Sequence, residues 1–314
     1  MKVLLVGCTG FIGRSLVRQL VKNGHDCTVL IRSHRSAVLL RYPDAARLTP
    51  YNERPEDCDA VINLAGEPIA GGWTPKKKKA ILDSRIDTAK ELVDWMRTLP
   101  KCPSVFLSAS AVGFYGSRGI EPLSEESGPD PTRGFLSQVC ILWEQEANHA
   151  RMSNIRVVNL RIGNVLDPTG GFLARIVPLL RMFPVIMPIA PHAFVPWISL
   201  RDAVGIIEFA MLHESVKGPV NLVAPVPSTS RELYGAIAAV IRRPIAGKTP
   251  KWFIKAALGE FSEVILASQK VLPTKASFEG YVFQDPDLLE FLRRRYSEFQ
   301  KDRRSRPVKK RSKG

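Results

Sequence analysis

Short apolar runs alternate with longer amphipathic stretches along the first half of the chain. Lys2-Val3-Leu4-Leu5-Val6 reads as a buried strand, and Phe11, Leu16, Val17 and Leu20 after it have helical spacing. Cys27 to Ile31, Ala60 to Leu64, Ser104 to Leu107 and Arg156 to Leu160 are further strand-like runs. Between them, Pro75 to Met96 carries Ile81, Ile86, Ala89, Leu92 and Val93 at helical spacing, and Leu136 to Ala150 reads as another helix. Strands and helices in alternation predict an α/β fold, a doubly wound parallel sheet. The pattern then changes. Pro178, Pro184, Pro188, Pro191 and Pro196 punctuate a loop-rich excursion from the sheet at about 168–196. Val220 to Val223 reads as a late strand, and from Ser230 the pattern is mostly helical to about Gln300.

The link between the first strand and the first helix is Gly7-Cys8-Thr9-Gly10-Phe11-Ile12-Gly13. A strand, a glycine-spaced turn and a helix in this order suit a dinucleotide pyrophosphate. Gly7 permits the tight turn, Gly10 lets backbone approach the phosphates, and Gly13 lets the helix pack close to the strand. The helix N-terminus adds free N–H groups and positive dipole. Thr9, Phe11 and Ile12 complete the expected cofactor turn.

The far end of a dinucleotide is read where the second strand ends. A carboxylate there holds an adenosine ribose hydroxyl. This chain instead has Ile31-Arg32-Ser33-His34-Arg35. Arg32 and Arg35 offer permanent charge to a 2′-phosphate, and Ser33 adds a hydroxyl. The expected cofactor is therefore NADP(H). The pattern divides the chain into an NADP(H)-binding domain at 1–225, a mostly helical C-terminal region at 226–300 and a basic tail at 301–314.

The formal net charge of +15 raises nucleic acid as a partner, but much of it is local. Residues 301–314 hold eight basic residues and one acid, a composition that predicts a disordered, solvated tail with only non-specific contact to nucleic acid. No aromatic residue is interleaved with these charges. Lys76 to Lys79 read as an exposed helix face. The five cysteines have no paired spacing and read as reduced thiols, which points to the cytoplasm. No apolar run reaches the length of a membrane span, and no metal-ligand spacing is present.

Several longer segments carry a resemblance. The Gly7-x-x-Gly10-x-x-Gly13 spacing, Asn63-Leu64-Ala65-Gly66-Glu67-Pro68-Ile69, Asp83-Ser84-Arg85-Ile86-Asp87-Thr88, and Ser108-Ala109-Ser110-Ala111-Val112-Gly113-Phe114-Tyr115-Gly116 are four of them. Trp197-Ile198-Ser199-Leu200-Arg201-Asp202 and Gln269-Lys270-Val271-Leu272-Pro273 are two more. Together they resemble an atypical branch of the extended short-chain dehydrogenase/reductases, the epimerase/dehydratase group, which includes short-chain dehydrogenase/reductase family 39 member U1 and bacterial relatives. The chain departs from that pattern at Ser199, which replaces a histidine, and over 183–190, where relatives commonly carry glycines. The resemblance implies a Rossmann core, bound NADP(H) and a substrate lobe built from the proline-rich excursion and the C-terminal helices at 226–300. It also implies that Leu64, Ala65 and Gly66 line the adenosine–ribose path, that Ser108 belongs to the site, and that Gly163 and Asn164 lie near the nicotinamide.

In the wider superfamily a tyrosine transfers the proton and a lysine four residues later lowers its pKa. Here Ser110 fits the accompanying serine, but Leu136 and Cys140 stand at the tyrosine and lysine positions. The expected substitutes are Tyr115, which could face the nicotinamide, and Glu67, an acid if desolvation raises its pKa. Cys140 reads as a core thiol. Two functions stay open: an epimerase- or reductase-like enzyme on a small molecule using Ser110 with an atypical acid, and a non-catalytic NADPH-binding regulator or scaffold.

Overall fold

The computed structural model describes residues 1–32, 43, 45–132, 134–182, 190–245, 252, 256 and 259–305. Seven strands pair in parallel: β1 (Lys2–Val6), β2 (Asp26–Ile31), β3 (Arg47–Pro50), β4 (Ala60–Asn63), β5 (Val105–Ala111), β7 (Arg156–Ile162) and β11 (Gly218–Leu222). Their spatial order is β11-β7-β5-β4-β1-β2-β3, and the short strands β6 (Pro122–Leu123), β8 (Asn164–Asp167), β9 (Phe194–Val195) and β10 (Trp197–Ser199) pair outside this sheet. The chain runs outward in one direction from β1 to β3 and in the other from β4 to β11. The strand order therefore reverses between β1 and β4, the place where open α/β sheets bind ligands.

Both faces of the sheet are covered, which is why its strands read as unbroken apolar runs. On one face Leu5, Val29, Ile62, Leu107 and Leu160 pack with Leu16 and Leu20 of α1 (Phe11–Lys22) and with Ile206 and Ile207 of α5 (Leu200–Leu212). On the other, Leu4, Val61, Phe106 and Val157 meet Leu92 and Met96 of α2 (Pro75–Thr98) and Ala147 of α3 (Phe135–Asn148). Thr74 starts α2 by accepting from the Lys77 N–H, with Pro75 at the first helical position.

The predicted excursion contains more order than its prolines suggest. Residues Gly171–Met182 form a helix, α4, with Pro178 inside it. With α6 (Ser230–Ile241) and, beyond the short α7 (Ser262–Leu266) and α8 (Thr274–Phe278), α9 (Leu288–Ser305), it builds a second core around Leu173, Leu233, Ile237 and Phe291. Trp197 joins this core by stacking on Phe291, with ring centroids 5.8 Å apart. Helix α9 continues through Ser305, so the first five residues of the expected tail are helical, and 306–314 lie outside the described residues.

The C-terminal lobe is tied to the sheet by buried polar bonds. Asp202 accepts from Tyr281 Oη, Gln284 N and Asp285 N at 3.0, 2.8 and 2.9 Å. Gln269 Nε2 donates to the carbonyls of Val112 and Gly116, just beyond β5. The Trp197–Asp202 and Gln269–Pro273 segments are thus fastenings between lobes. Ser199 serves by capping α5, its hydroxyl accepting from Asp202 N.

Candidate functional site

The turn after β1 meets the segment after β4 at the point where the strand order reverses. Gly7 has φ +73°, and a Cβ on it would stand 2.3 Å from Ala65 N. A Cβ on Gly13 would stand 2.3 Å from Cys8 Cα. These two glycines are demanded by the protein's own backbone. Gly10 differs. A Cβ there meets nothing nearer than Gly7 O at 3.5 Å, so the space above it is open. Gly10 is also the N-cap of α1, with no side-chain cap and no acid in the first turn. The free N–H groups and dipole of α1 face that space, a fit for a pyrophosphate. Thr9 and Ile12 are half-buried in the turn, and Phe11 packs against Gly170 and Gly171.

Beside this turn, Asn63 ends β4 fully buried. Its Oδ1 accepts from Ala65 N at 3.0 Å, while its Nδ2 has no partner among the described residues. Leu64 and Ala65 lie against Gly7, and Gly66 covers the Arg85 guanidinium, whose Cζ would be 3.1 Å from a Cβ there. Arg85 also donates to the carbonyls of Glu67 and Ile81 at 3.0 and 2.9 Å. Burial pulls its pKa down.

Arg32 follows β2 directly and is exposed, with its guanidinium 5.4 Å from the centroid of the Tyr51 ring. Ser33 and Arg35 lie outside the described residues.

From the turn toward β11 the strands place polar residues in register. Ser110, Arg161 and Asn221 are aligned on β5, β7 and β11, and Asn63, Ser108 and Asn159 on β4, β5 and β7. Ser110 Oγ donates to Glu144 Oε1 of α3 at 2.7 Å. Arg161 donates to both oxygens of the same carboxylate at 2.9 Å and to Tyr115 Oη at 2.9 Å. Tyr115 Oη in turn donates to Asn221 Oδ1 at 2.7 Å.

This geometry corrects the expected role of Tyr115. The residue is fully buried among Leu123, Val223 and Val271, and both functions of its hydroxyl are engaged. Burial pushes its pKa up to about 12, outweighing the opposing effects of Arg161 and Asn221. A phenol so placed is a structural member of the network. Glu67 is corrected too. Its carboxylate is half-exposed and ion-paired with Lys77 Nζ at 2.6 Å, so the expected desolvation is absent. Leu136 and Cys140 both face Gly113, with Leu136 Cβ 3.4 Å and Cys140 Sγ 3.8 Å from a Cβ built there. Burial, then the Glu144 charge, pushes the Cys140 thiol up to about 11.

Ser108 is fully buried in the sheet between Asn63 and Asn159. Gly163 is fixed by close packing, since a Cβ would stand 2.8 Å from Pro196 O. Asn164 is exposed, and its N and Nδ2 both donate to that same carbonyl. An aromatic cluster joins α3 to the C-terminal lobe. Trp73 makes edge contacts with Phe135 of α3 and Phe261 of the C-terminal lobe, at 5.2 and 5.9 Å, and Lys78 pairs with Glu260.

Residues 3–223 match the NAD dependent epimerase/dehydratase family. The chain belongs to that family. Residues 249–294 match a domain of unknown function, DUF1731. The "Epimerase family protein SDR39U1 homolog, chloroplastic" of Arabidopsis thaliana is 36% identical over 90% of this chain and 83% of that protein. Epimerase family protein YfhF of Bacillus subtilis is 33% identical over 92% of this chain and 95% of its own length. The crystal structure of human epimerase family protein SDR39U1 (isoform 2) with NADPH matches with a TM-score of 0.82 at 28% identity, over 95% of this chain and 99% of that one.

Among the described residues of this epimerase-family chain, no group of histidine, cysteine or acidic side chains could hold a metal ion, and no helix is long and apolar enough to cross a membrane. No disulfide joins any of the five cysteines. Asn63, Arg85, Glu144, Arg161 and Asn221 were not singled out as site residues from the sequence. Their signal was a polar side chain inside, or facing, an otherwise apolar strand.

Proposed function

We propose that the chain binds NADP(H) and carries out redox chemistry on the alcohol or carbonyl of a small molecule, in the manner of an epimerase or reductase. The observation that carries this reading is the pairing of an open glycine turn at Gly10 with an arginine where β2 ends, Arg32, which pairs with no carboxylate among the described residues. A 2′-phosphate favours a guanidinium at that place and is repelled by a carboxylate. The human relative solved with NADPH supports the same cofactor. The first-turn N–H groups of α1 would hold the pyrophosphate, Arg32 the 2′-phosphate, and Leu64 to Gly66 the ribose path. The bound nicotinamide supplies or accepts hydride. On the protein's side, Ser110 is the protic group at the reacting end, and Glu144 with Arg161 fixes its hydroxyl.

Fluorescence titration tests the cofactor. NADPH is expected to bind at least tenfold more tightly than NADH, about 1.4 kcal/mol. Arg32→Asp should erase the preference, and equal affinities in the wild type would remove the reading.

A second reading is a non-catalytic NADPH-binding regulator or scaffold. It is favoured by helix α3, which contains neither tyrosine nor lysine, and by the engagement of Tyr115, Ser110 and Glu67 with other protein groups. A screen of carbonyl and alcohol metabolites separates the two. Turnover that falls in Ser110→Ala while NADPH affinity holds supports the enzyme. No turnover, with a protein partner whose affinity changes with NADPH, supports the regulator.

A further inference from the structure

We infer that Tyr51 is the positioning residue for cofactor choice, acting as a fixed aromatic platform that holds the Arg32 guanidinium ready for the 2′-phosphate. The inference rests on the NADP(H) reading above and extends it to a residue on a different strand connection. Tyr51 follows β3, and it is held at both ends. Its backbone N–H donates to Ile31 O, the last carbonyl of β2, at 3.0 Å. Its hydroxyl donates to Glu91 Oε2 of α2 at 2.9 Å. Arg54 locks the same corner, donating to Glu91 Oε2 and Glu91 O at 3.3 Å each. The Arg54 guanidinium lies 5.0 Å from the Tyr51 ring and 5.8 Å from the Trp95 ring.

The two arginines beside this ring are in different situations. Arg54 has an acid, Glu91. Arg32 is exposed, and no carboxylate pairs with it among the described residues. Its one described contact is the Tyr51 ring at 5.4 Å. A long arginine loses rotamer entropy when it grips an anion, and a ring that already holds its guanidinium at 5.4 Å removes part of that loss. A cation–π contact uses the charge and not the N–H groups, which stay available to a phosphate. NADPH and NADH differ only by the 2′-phosphate, so a residue acting through Arg32 must move the affinity for one and not the other.

The test is binding of NADPH and of NADH by full-length protein at fixed ionic strength, for the wild type, Tyr51→Phe, Tyr51→Leu and Tyr51→Met. Tyr51 is half-buried, which favours folding of all three. Tyr51→Phe keeps the ring and should stay within about twofold of the wild type for both cofactors. Tyr51→Leu and Tyr51→Met should weaken NADPH by about three- to tenfold and leave NADH unchanged. If one of the two fails to fold, the other carries the comparison. An unchanged NADPH-to-NADH ratio in the aliphatic variants overturns the inference, as does equal weakening of both cofactors. Loss of the ratio in Tyr51→Phe as well would assign the effect to the hydroxyl tether and overturn the platform. If the wild type itself binds both cofactors equally, the NADP(H) preference fails first and this inference with it. If the wild type prefers NADPH and the aliphatic variants keep that preference, this inference alone fails.

Discussion

Ser110 donates its hydroxyl hydrogen to Glu144 across 2.7 Å, from the end of a central strand to a helix packed over it. The Arg161 guanidinium then binds the same carboxylate through two N–H groups, with both side chains almost fully buried. Ser110 is thus oriented by an ion pair that the sheet register creates.

That ion pair should dominate the stability of the site. Removing Glu144 leaves the Arg161 charge buried without its counter-ion, a loss of about 3–5 kcal/mol. Ser110→Ala removes one hydrogen bond and should cost about 1 kcal/mol. Urea unfolding of Glu144→Ala and Ser110→Ala measures both. A Glu144→Ala cost no larger than that of Ser110→Ala would show that the pair is not energetically buried.

Glu125 gives the fold a specific pH dependence. It is buried, its Oε1 accepts from Asn221 N at 3.0 Å, and its Oε2 has no hydrogen-bond partner among the described residues. Burial raises its pKa, against the opposing backbone N–H of Asn221. An acid with a raised folded pKa holds its proton more tightly in the native state. Its contribution is complete below the unfolded pKa, about 4.3, and fades as pH climbs through the folded value. Melting temperatures of the wild type and Glu125→Gln at about pH 4 and about pH 7 test the sign. The difference should shift in favour of Glu125→Gln at the higher pH, and a constant difference would refute it.

Most of the sheet was legible because parallel strands covered on both faces leave continuous apolar runs. The illegible parts have specific causes. The edge strand Arg47–Pro50 is only partly buried and carries no apolar run. Strands β5 and β7 extend past their expected ends, through Ser108, Ser110 and Arg161. Ser110 and Arg161 are polar yet buried because both donate to the Glu144 carboxylate, while the Ser108 hydroxyl donates to Ala109 O. Sequence periodicity carries no information about partners supplied by another strand. The same blindness made Tyr115 look available, since its partners Arg161 and Asn221 lie 46 and 106 residues away in the chain.

The thiols offer a direct check on Cys140. Burial pushes Cys27 and Cys140 up to about 11 and Cys58 to about 12, and it raises Cys8 further. Cys102 is only half-buried. At neutral pH an alkylating reagent should label Cys102 first in the native protein, and the other four only on unfolding. Rapid native labelling of Cys140, read by mass spectrometry, would mean an accessible thiolate at the reacting end.

Gly7 and Gly10 should separate folding from cofactor binding. Gly7→Ala puts a methyl group 2.3 Å from the Ala65 backbone at φ +73°, so neither rotation nor a side-chain shift relieves it. A loss of at least about 2 kcal/mol is expected in thermal or urea unfolding. Gly10 has φ −75° and open space where its Cβ would stand. Gly10→Ala should therefore fold within about 0.5 kcal/mol of the wild type. The new methyl occupies the approach to the first turn of α1, where a pyrophosphate needs to touch backbone N–H groups. NADPH affinity should fall at least tenfold, about 1.4 kcal/mol. A stable Gly10→Ala that binds NADPH as tightly as the wild type would place the phosphates somewhere other than this turn. A Gly7→Ala variant as stable as the wild type would mean that the contact with Ala65 yields, and with it the argument that this glycine is fixed by the protein's own backbone.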